Sequence, residues 1–468
     1  MAVLSPYWDF WASRVRGDLR GDRVQLAAEV SAALPGVEVV AEELLDGSDA
    51  DHAAMARVRT ARPDVALVVQ SMAVPPGWTV RSLETVPELP LVVWGVHRRS
   101  GPPIGYDHSD IAVEGATVGV PQLVNVLGRR GRRHVLVVGR LDDERCRRRV
   151  TAEVRAGAAA GRIGRARLLR VGTPMPGYAC VDVDDDELRR GTGIHAEHVD
   201  PARLQALYRD AGPEAVERVA RETEATFELE DGIAPGDDGL RRSLRLAAAL
   251  EQLDAETGAA AGALNCHVPE LRYADEPGVT ACFALGRETT RGVPWTCTGD
   301  VLTAVAMLTA KALGAAAVYH ELEALDYDRD EALIANSGEH DLAFVAAGTR
   351  PRLERNRWFA DDPRVGVCAC FTGTPGPATI VGFTPHPEER SGFRYVVAEG
   401  TLTGRSFPHS GTVNGAFRFG DGSEPVDVAW QRWAEAGVNH HSSASLGHLG
   451  DAVAAVAAQL GVGIVRVS

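Results

Sequence analysis

Short apolar, β-branched runs punctuate the first third of the chain, at Val37–Val40, Val65–Val69, Leu91–Val96 and His134–Val138. Stretches of helical spacing separate them, such as the one from Asp22 to Leu34 that ends near Pro35-Gly36. Short buried strands alternating with helices predict a parallel sheet covered on both faces. No GxGxxG follows the first of these strands, so a dinucleotide site is not indicated. A second unit starts near Ala166 with the strand ARLLRVG, and the acidic run at 181–187 (VDVDDDE) reads as a solvated turn. Helical patterns follow at 201–228 and 238–258. A helix from Asp300 to Leu313 places Val301, Val305, Leu308 and Ala312 on one face, with Gly314 as its stop. From about 315 the pattern changes to strands with turn punctuation: ALIAN, VGVCACF, ATIVGFT, RYVVAEGTLTG and GAFRFG. These predict an antiparallel, β-rich domain closed by a helix at 447–460 and a last strand, GIVRVS.

Composition narrows the function classes. The 468 residues exceed one ordinary core. A net charge of −15 argues against a nucleic-acid binder, since phosphate affinity rests on clustered Lys and Arg. The basic patches at 129–133 and 145–149 read as solvated helix and loop faces. Lys311 is the sole lysine, so no P-loop lysine is present and Schiff-base chemistry would have to use that one residue. Seven cysteines lie scattered without a CxxC pair, which fits a reducing compartment. No basic segment followed by an apolar run marks a signal peptide, and no apolar stretch has the length of a membrane span. A cytoplasmic setting without membrane or nucleic-acid partners is expected.

The chemistry concentrates in the last third, in CTGDV (297–301), YHELE (319–323), NSGEHD (336–341) and GVNHHSS (437–443). Carboxylates and imidazoles separated by long folded stretches are how a chain assembles one oxygen/nitrogen metal site. Glu321 and Glu323 follow the buried-looking run GAAAVYH, where an acid is costly unless exposed, paired or bound to a cation. The His440–His441 pair reads as lying on a turn, and Asp300 reads as the N-cap of the helix that follows it. Ser442, Ser443 and Ser445 lack a GxSxG elbow, which argues against a serine hydrolase.

In this order, PGVTACFALGRETTRGVPWTCTGDVLTA, YHELEALDYDRDEALIANSGE and AEAGVNHHSSASLGHLGD resemble the L-fucose/L-arabinose isomerase superfamily. The resemblance extends upstream through RVGTPMPGY (170–178) and, more loosely, to LVVQSM and LVVWGVH. It implies an α/β fold of two doubly wound, Rossmann-like parallel-sheet domains (1–165 and 166–314) followed by a β-rich, barrel-like domain (315–468). It also implies a homo-oligomer, trimer or hexamer, and aldose–ketose isomerisation of a sugar assisted by Mn²⁺ or a similar divalent ion. The implied catalytic positions are Glu321 and Thr298, the latter standing where the family carries a glutamate in a (C/G)EGD motif. The implied metal positions are Glu321 and His441, with His340 and Glu339 beside the family's histidine position, which Asn336 occupies here. His267, Met175, Asn336 and His440 are the implied substrate contacts. Because Thr298 and Asn336 replace a carboxylate and an imidazole, two other readings stay open. One is a repurposed member with different chemistry; the other is a sugar-binding homologue without turnover.

Overall fold

A computed structural model describes residues 1–15, 17–356, 364–407 and 413–467, and the chain divides into two compact units. The first comprises Met1–Gly164 and Ala455–Gly461, the second Arg165–Ala454 and Val462–Ser468.

In the first unit β1 (Ala2–Pro6), β2 (Ala41–Leu45), β3 (Ala66–Gln70), β4 (Leu91–His97) and β5 (Val135–Arg140) form one parallel sheet in the order β2-β1-β3-β4-β5. Its helices are α1 (Leu19–Ala32), α2 (Ala50–Ala61), α3 (Pro76–Leu83), α4 (His108–Glu114), α5 (Ala116–Arg129) and α6 (Glu144–Ile163). Side chains alternate across the sheet. Val3, Leu67, Val69, Val92 and Trp94 pack with α1 and α6, whereas Leu4, Val68 and Val93 pack with α2, α3 and α5. The strand expected at Val37–Val40 lies instead at Ala41–Leu45, because only from Ala41 does the chain run beside β1, in the register Ala2↔Ala41. The sequence reading missed β1 itself, the strand between β2 and β3.

The second unit opens with β6 (Arg167–Val171), α7 (Asp185–Thr192), β7 (His195–Val199), α8 (Pro201–Asp210), α9 (Pro213–Thr226) and β8 (Glu228–Leu229). It continues through α10 (Asp238–Thr257), β9 (Ala261–Leu264), α11 (Cys282–Arg291), β10 (Trp295–Thr296) and α12 (Val301–Ala312). A four-stranded parallel sheet, β10-β9-β6-β7, carries these elements apart from β8, which belongs to a separate three-stranded sheet. The acidic run is not a bare turn: Asp184 caps α7 by accepting from Glu187 N (2.9 Å), and Asp185 pairs with Arg170 (3.0 Å). Acids in a first helical turn also complement the helix dipole. The single helix expected at 201–228 is two, since Gly212-Pro213 breaks it and Pro213 opens α9.

The remaining strands are β11 (Val318–Asp326), β12 (Glu331–Ala335), β13 (Arg352–Arg355), β14 (Val367–Cys370), β15 (Gly376–Pro385), β16 (Phe393–Thr403), β17 (Val413–Phe419), β18 (His441–Leu446) and β19 (Gly463–Arg466). Helices α13 (Val426–Glu435) and α14 (Gly450–Leu460) complete the chain. Strands β15-β18-β11-β12-β17-β16 pair in that order, and β16 returns to β15, closing a six-stranded antiparallel barrel. Closure removes the open edges that a sheet otherwise exposes. Val318, Ile334, Ile380, Val396, Leu402, Phe417 and Ala444 share its core. The other face of β11 carries Tyr319, which packs with Met307 and Ala310 of α12. No single helix among the described residues is long and apolar enough to cross a membrane.

Candidate metal centre

Strands β11 and β18 set the site by their register. Glu321 lies directly opposite His441, and Tyr319 opposite Ser443. Side chains directly opposite on adjacent strands are close enough to interact. His441 Nε2 stands 3.2 Å from Glu321 Oε1. Its other ring nitrogen, Nδ1, is 2.9 Å from Asp300 Oδ2 and 2.6 Å from the Tyr319 hydroxyl. The preceding residue, His440, lays its ring against that of His441, centroids 3.8 Å apart. One ligand atom from each of Glu321, His440 and His441 falls within a common 4.8 Å. His441 is buried, Glu321 half-buried and His440 exposed, so the cluster is anchored at one end and open at the other.

Asp300 does two jobs with one carboxylate. Its Oδ1 accepts from Thr303 N at 2.9 Å and caps α12, as the sequence predicts, while Oδ2 reaches His441. The residue is fully buried, and Asn439 also donates toward Oδ2 (3.5 Å). A carboxylate on the far nitrogen of an imidazole fixes the ring's tautomer and raises its basicity as a ligand. Burial works to lower the His441 imidazolium. Hydrogen bonds to Asp300 and Glu321 outweigh it and hold the ring up to about 9. Burial likewise raises the Glu321 carboxyl, but His441 more than offsets it and leaves Glu321 below the usual carboxylate range. One carboxylate and two imidazoles, one of them backed by a second carboxylate, fit a divalent transition ion.

The two jobs of Asp300 are separable. In Asp300→Asn the cap survives, since asparagine is as good an N-cap as aspartate, but His441 loses its anionic partner. We expect divalent-metal affinity to fall by about 10–100-fold in Asp300→Asn with little change in thermal midpoint. Asp300→Ala will add a capping loss of about 1 kcal/mol. Titration calorimetry with thermal melts of both variants checks this.

The other predicted positions fall into three places. Thr298 adjoins the cluster: its hydroxyl lies 3.4 Å from the Tyr319 hydroxyl and donates to Cys297 O at 2.8 Å. Its φ of 55° is left-handed. That is rare for a β-branched residue and costs of order 1–3 kcal/mol. Half-buried Met175 donates its backbone N–H to Thr298 O (3.0 Å), which ties the segment after β6 to this loop.

Glu339 and His340 do not join Glu321. Glu339 is fully buried, and neither carboxylate oxygen has a hydrogen-bond partner by distance and angle among the described residues. Its neighbours are the thiols of Cys282 and Cys297, and burial holds the carboxyl above its ordinary range. His340 stands edge-on to Phe371 with ring centroids 5.5 Å apart, and burial pushes its imidazolium down to about 3, so the ring is neutral. It borders a separate, largely apolar cavity of about 250 Å³ with Phe227, Phe283 and Leu342, which none of Glu321, His440 and His441 touches.

Asn336 is buried; its Oδ1 accepts from Ser337 N, and its Nδ2 has no partner among the described residues. His267 pairs through Nδ1 with Arg272 (3.2 Å). His320 points to the opposite face of β11 from Glu321 and meets Ser442 Oγ at 3.1 Å, both buried. The pair expected on a turn is divided: His440 lies on the bend that leads into β18, and His441 opens that strand.

Sequence reasoning missed Tyr319 and the second role of Asp300, although the YHELE and CTGDV motifs bracketed both. Cys180 is exposed, and its Sγ lies 3.7 Å from His440 Nδ1. No protein-family model and no curated protein matches this chain.

Proposed function

We propose that this protein is an aldose–ketose isomerase-like enzyme that acts on a sugar or similar polyhydroxylated substrate with the help of a divalent ion. The observation that carries the reading is the placement of Glu321 opposite His441, with His440 in ligand range and Asp300 behind the ring. Glu321, His440 and His441 would hold the ion, with Mn²⁺ the choice that the family resemblance implies. When bound, such an ion supplies Lewis-acid polarisation of a carbonyl oxygen and a template for adjacent hydroxyls. Asp300 keeps His441 aimed. Glu321, the one half-exposed carboxylate of the cluster, carries the proton between C2 and C1. The Thr298 hydroxyl, which cannot act as a second base, hydrogen-bonds a substrate oxygen.

Further elements of the reading rest on the same resemblance. The order β2-β1-β3-β4-β5 with helices on both faces supports a doubly wound, Rossmann-like first domain. A cytoplasmic homo-oligomer, trimer or hexamer, completes it. A second reading, a repurposed enzyme with other chemistry on the same frame, is favoured by one observation: a strained threonine stands where the family's glutamate belongs.

Proton NMR in D₂O of aldopentoses and aldohexoses incubated with metal-loaded protein separates the two. Isomerisation predicts loss of the C2 proton signal as a ketose appears, abolished in Glu321→Gln. Fully loaded protein that exchanges no C2 proton in any of these aldoses contradicts the isomerase reading.

A further inference from the structure

We propose that the cavity beside α11 binds a small, uncharged aromatic molecule with one hydrogen-bonding group, of the phenol type. It lies apart from Glu321, His440 and His441, none of which touches it, so the inference is independent of the metal-centre reading. Size is the first support. The cavity, about 250 Å³, exceeds the roughly 150 Å³ that holds a benzene molecule in an apolar protein core, and leaves room for one substituted ring. Its walls suit such a ring. Phe227 and Phe283 are buried and meet edge to face, centroids 6.2 Å apart, and Leu342 and Ala369 add to the apolar lining. Aromatic walls favour an aromatic occupant through offset or edge-to-face contact.

The cavity is held open rather than free to collapse. Arg287 on α11 pairs with Glu222 on α9 (2.6 Å) and Glu251 on α10 (3.1 Å), which fixes the spacing of three helices. A second contact is as rigid. Helix α11 lies backbone against backbone on the 336–341 segment, where a Cβ at Gly286 would come within 2.8 Å of Gly338 O. A pre-formed site of this kind spends little on ordering when a ligand enters.

Charge and hydrogen bonding then select the ligand. Arg218, Arg287 and Arg291 meet Glu222, Glu251 and Glu288 in one balanced network, so neither an anion nor a cation finds an unpaired charge there. Thr223, Thr226 and Thr290 give their hydroxyl protons to helix carbonyls at 2.7, 2.7 and 3.0 Å. His340, which also lines the cavity, differs from them. It is 1% exposed, and neither ring nitrogen has a hydrogen-bond partner by distance and angle among the described residues. Burial keeps the ring neutral, and a neutral imidazole offers one donor and one acceptor. A buried polar group left unpaired is costly, and a ligand hydroxyl can serve either nitrogen.

Fluorine NMR of the full-length protein tests this, with 4-fluorophenol, fluorobenzene and 4-fluorobenzoate as probes. One 4-fluorophenol per chain should bind, about 10-fold tighter than fluorobenzene, the factor that one net hydrogen bond supplies. The charged benzoate should not compete with it. Ala369→Leu, which fills the cavity, and Thr226→Phe, which narrows it, should each weaken 4-fluorophenol severalfold or abolish its binding. Thr226 is half-buried at the end of α9, so the second variant keeps the test readable if the first disturbs the core. In His340→Phe the preference for 4-fluorophenol over fluorobenzene should disappear. Three results each overturn the proposal: no binding of either neutral probe at millimolar concentration, wild-type binding of fluorobenzene or 4-fluorobenzoate as tight as that of the phenol, and binding that both cavity variants leave intact. None of them bears on the metal centre.

Discussion

Replacing Glu321 with alanine will lower divalent-metal affinity by more than ~100-fold and leave the fold intact. Loss of an outer partner of a ligating histidine already costs about 10–100-fold, and Glu321 is a direct ligand in this account. The fold survives because the β11–β18 ladder is made by backbone groups, and the Glu321 side chain is 29% exposed. The pair it makes with His441 is worth about 1 kcal/mol at such exposure, a shift of no more than ~2–4 °C in midpoint. His441→Ala will differ. It deletes a buried ring and leaves buried Asp300 with, among the described residues, Asn439 and the Thr303 N–H as its side-chain partners, so midpoint and affinity fall together. Calorimetric titration with Zn²⁺ and Mn²⁺ beside thermal melts distinguishes the patterns. Unchanged affinity in Glu321→Ala would remove Glu321 from the site.

The second large effect lies away from the site, at Asp254 on α10. Its Oδ2 accepts from Trp295 Nε1 at 3.1 Å, its Oδ1 has no partner among the described residues, and the residue is buried. Burial pushes the carboxyl up to about 8, against the lowering effect of the Trp295 hydrogen bond, with the Glu288 charge adding to the rise. The folded-state value thus exceeds the ordinary 3.8. Between about pH 4 and pH 8 the folded chain binds the extra proton, and stability falls as pH rises, by up to ~1.4 kcal/mol per pH unit. Asp254→Asn keeps an acceptor for Trp295 and has no charge to bury. Its stability relative to wild type should therefore grow by about 3 kcal/mol from pH 5 to pH 8. Urea melts at the two pH values measure this; a difference independent of pH would show that Asp254 is ionised throughout.

What could be read from sequence follows from where the information is local. Periodicity located the long helices, because α10 and α12 bury one face or all of it and end at Gly258 and Gly314. It missed β18 because HSSASL carries no hydrophobic alternation. Its serines are buried all the same: Ser442 reaches His320 and Ser445 donates to Ala316 O. A polar strand whose partners lie more than 60 residues away has no local signature. Barrel closure likewise needs β18 to pair with both β11 and β15, strands distant from it in sequence, which no single segment encodes.

The site divides along the same line. Glu321 and His441 were found because their motifs persist, and Asp300 as a cap because capping acts over three residues. Its bond to His441 spans 141 residues and could be seen only in the fold. Glu339 and His340 looked like substitutes for a missing ligand, but neighbouring residues diverge in direction. One enters a nest of thiols, the other packs on Phe371.

One divalent ion is expected between Glu321, His440 and His441. Metal analysis of protein purified without chelators tests it most directly. One transition ion per chain is expected in the wild type, lost in both Glu321→Ala and His441→Ala and restored by added ion only in the wild type. Wild-type protein that carries no ion and takes up none from added Mn²⁺, Zn²⁺ or Co²⁺ would contradict it.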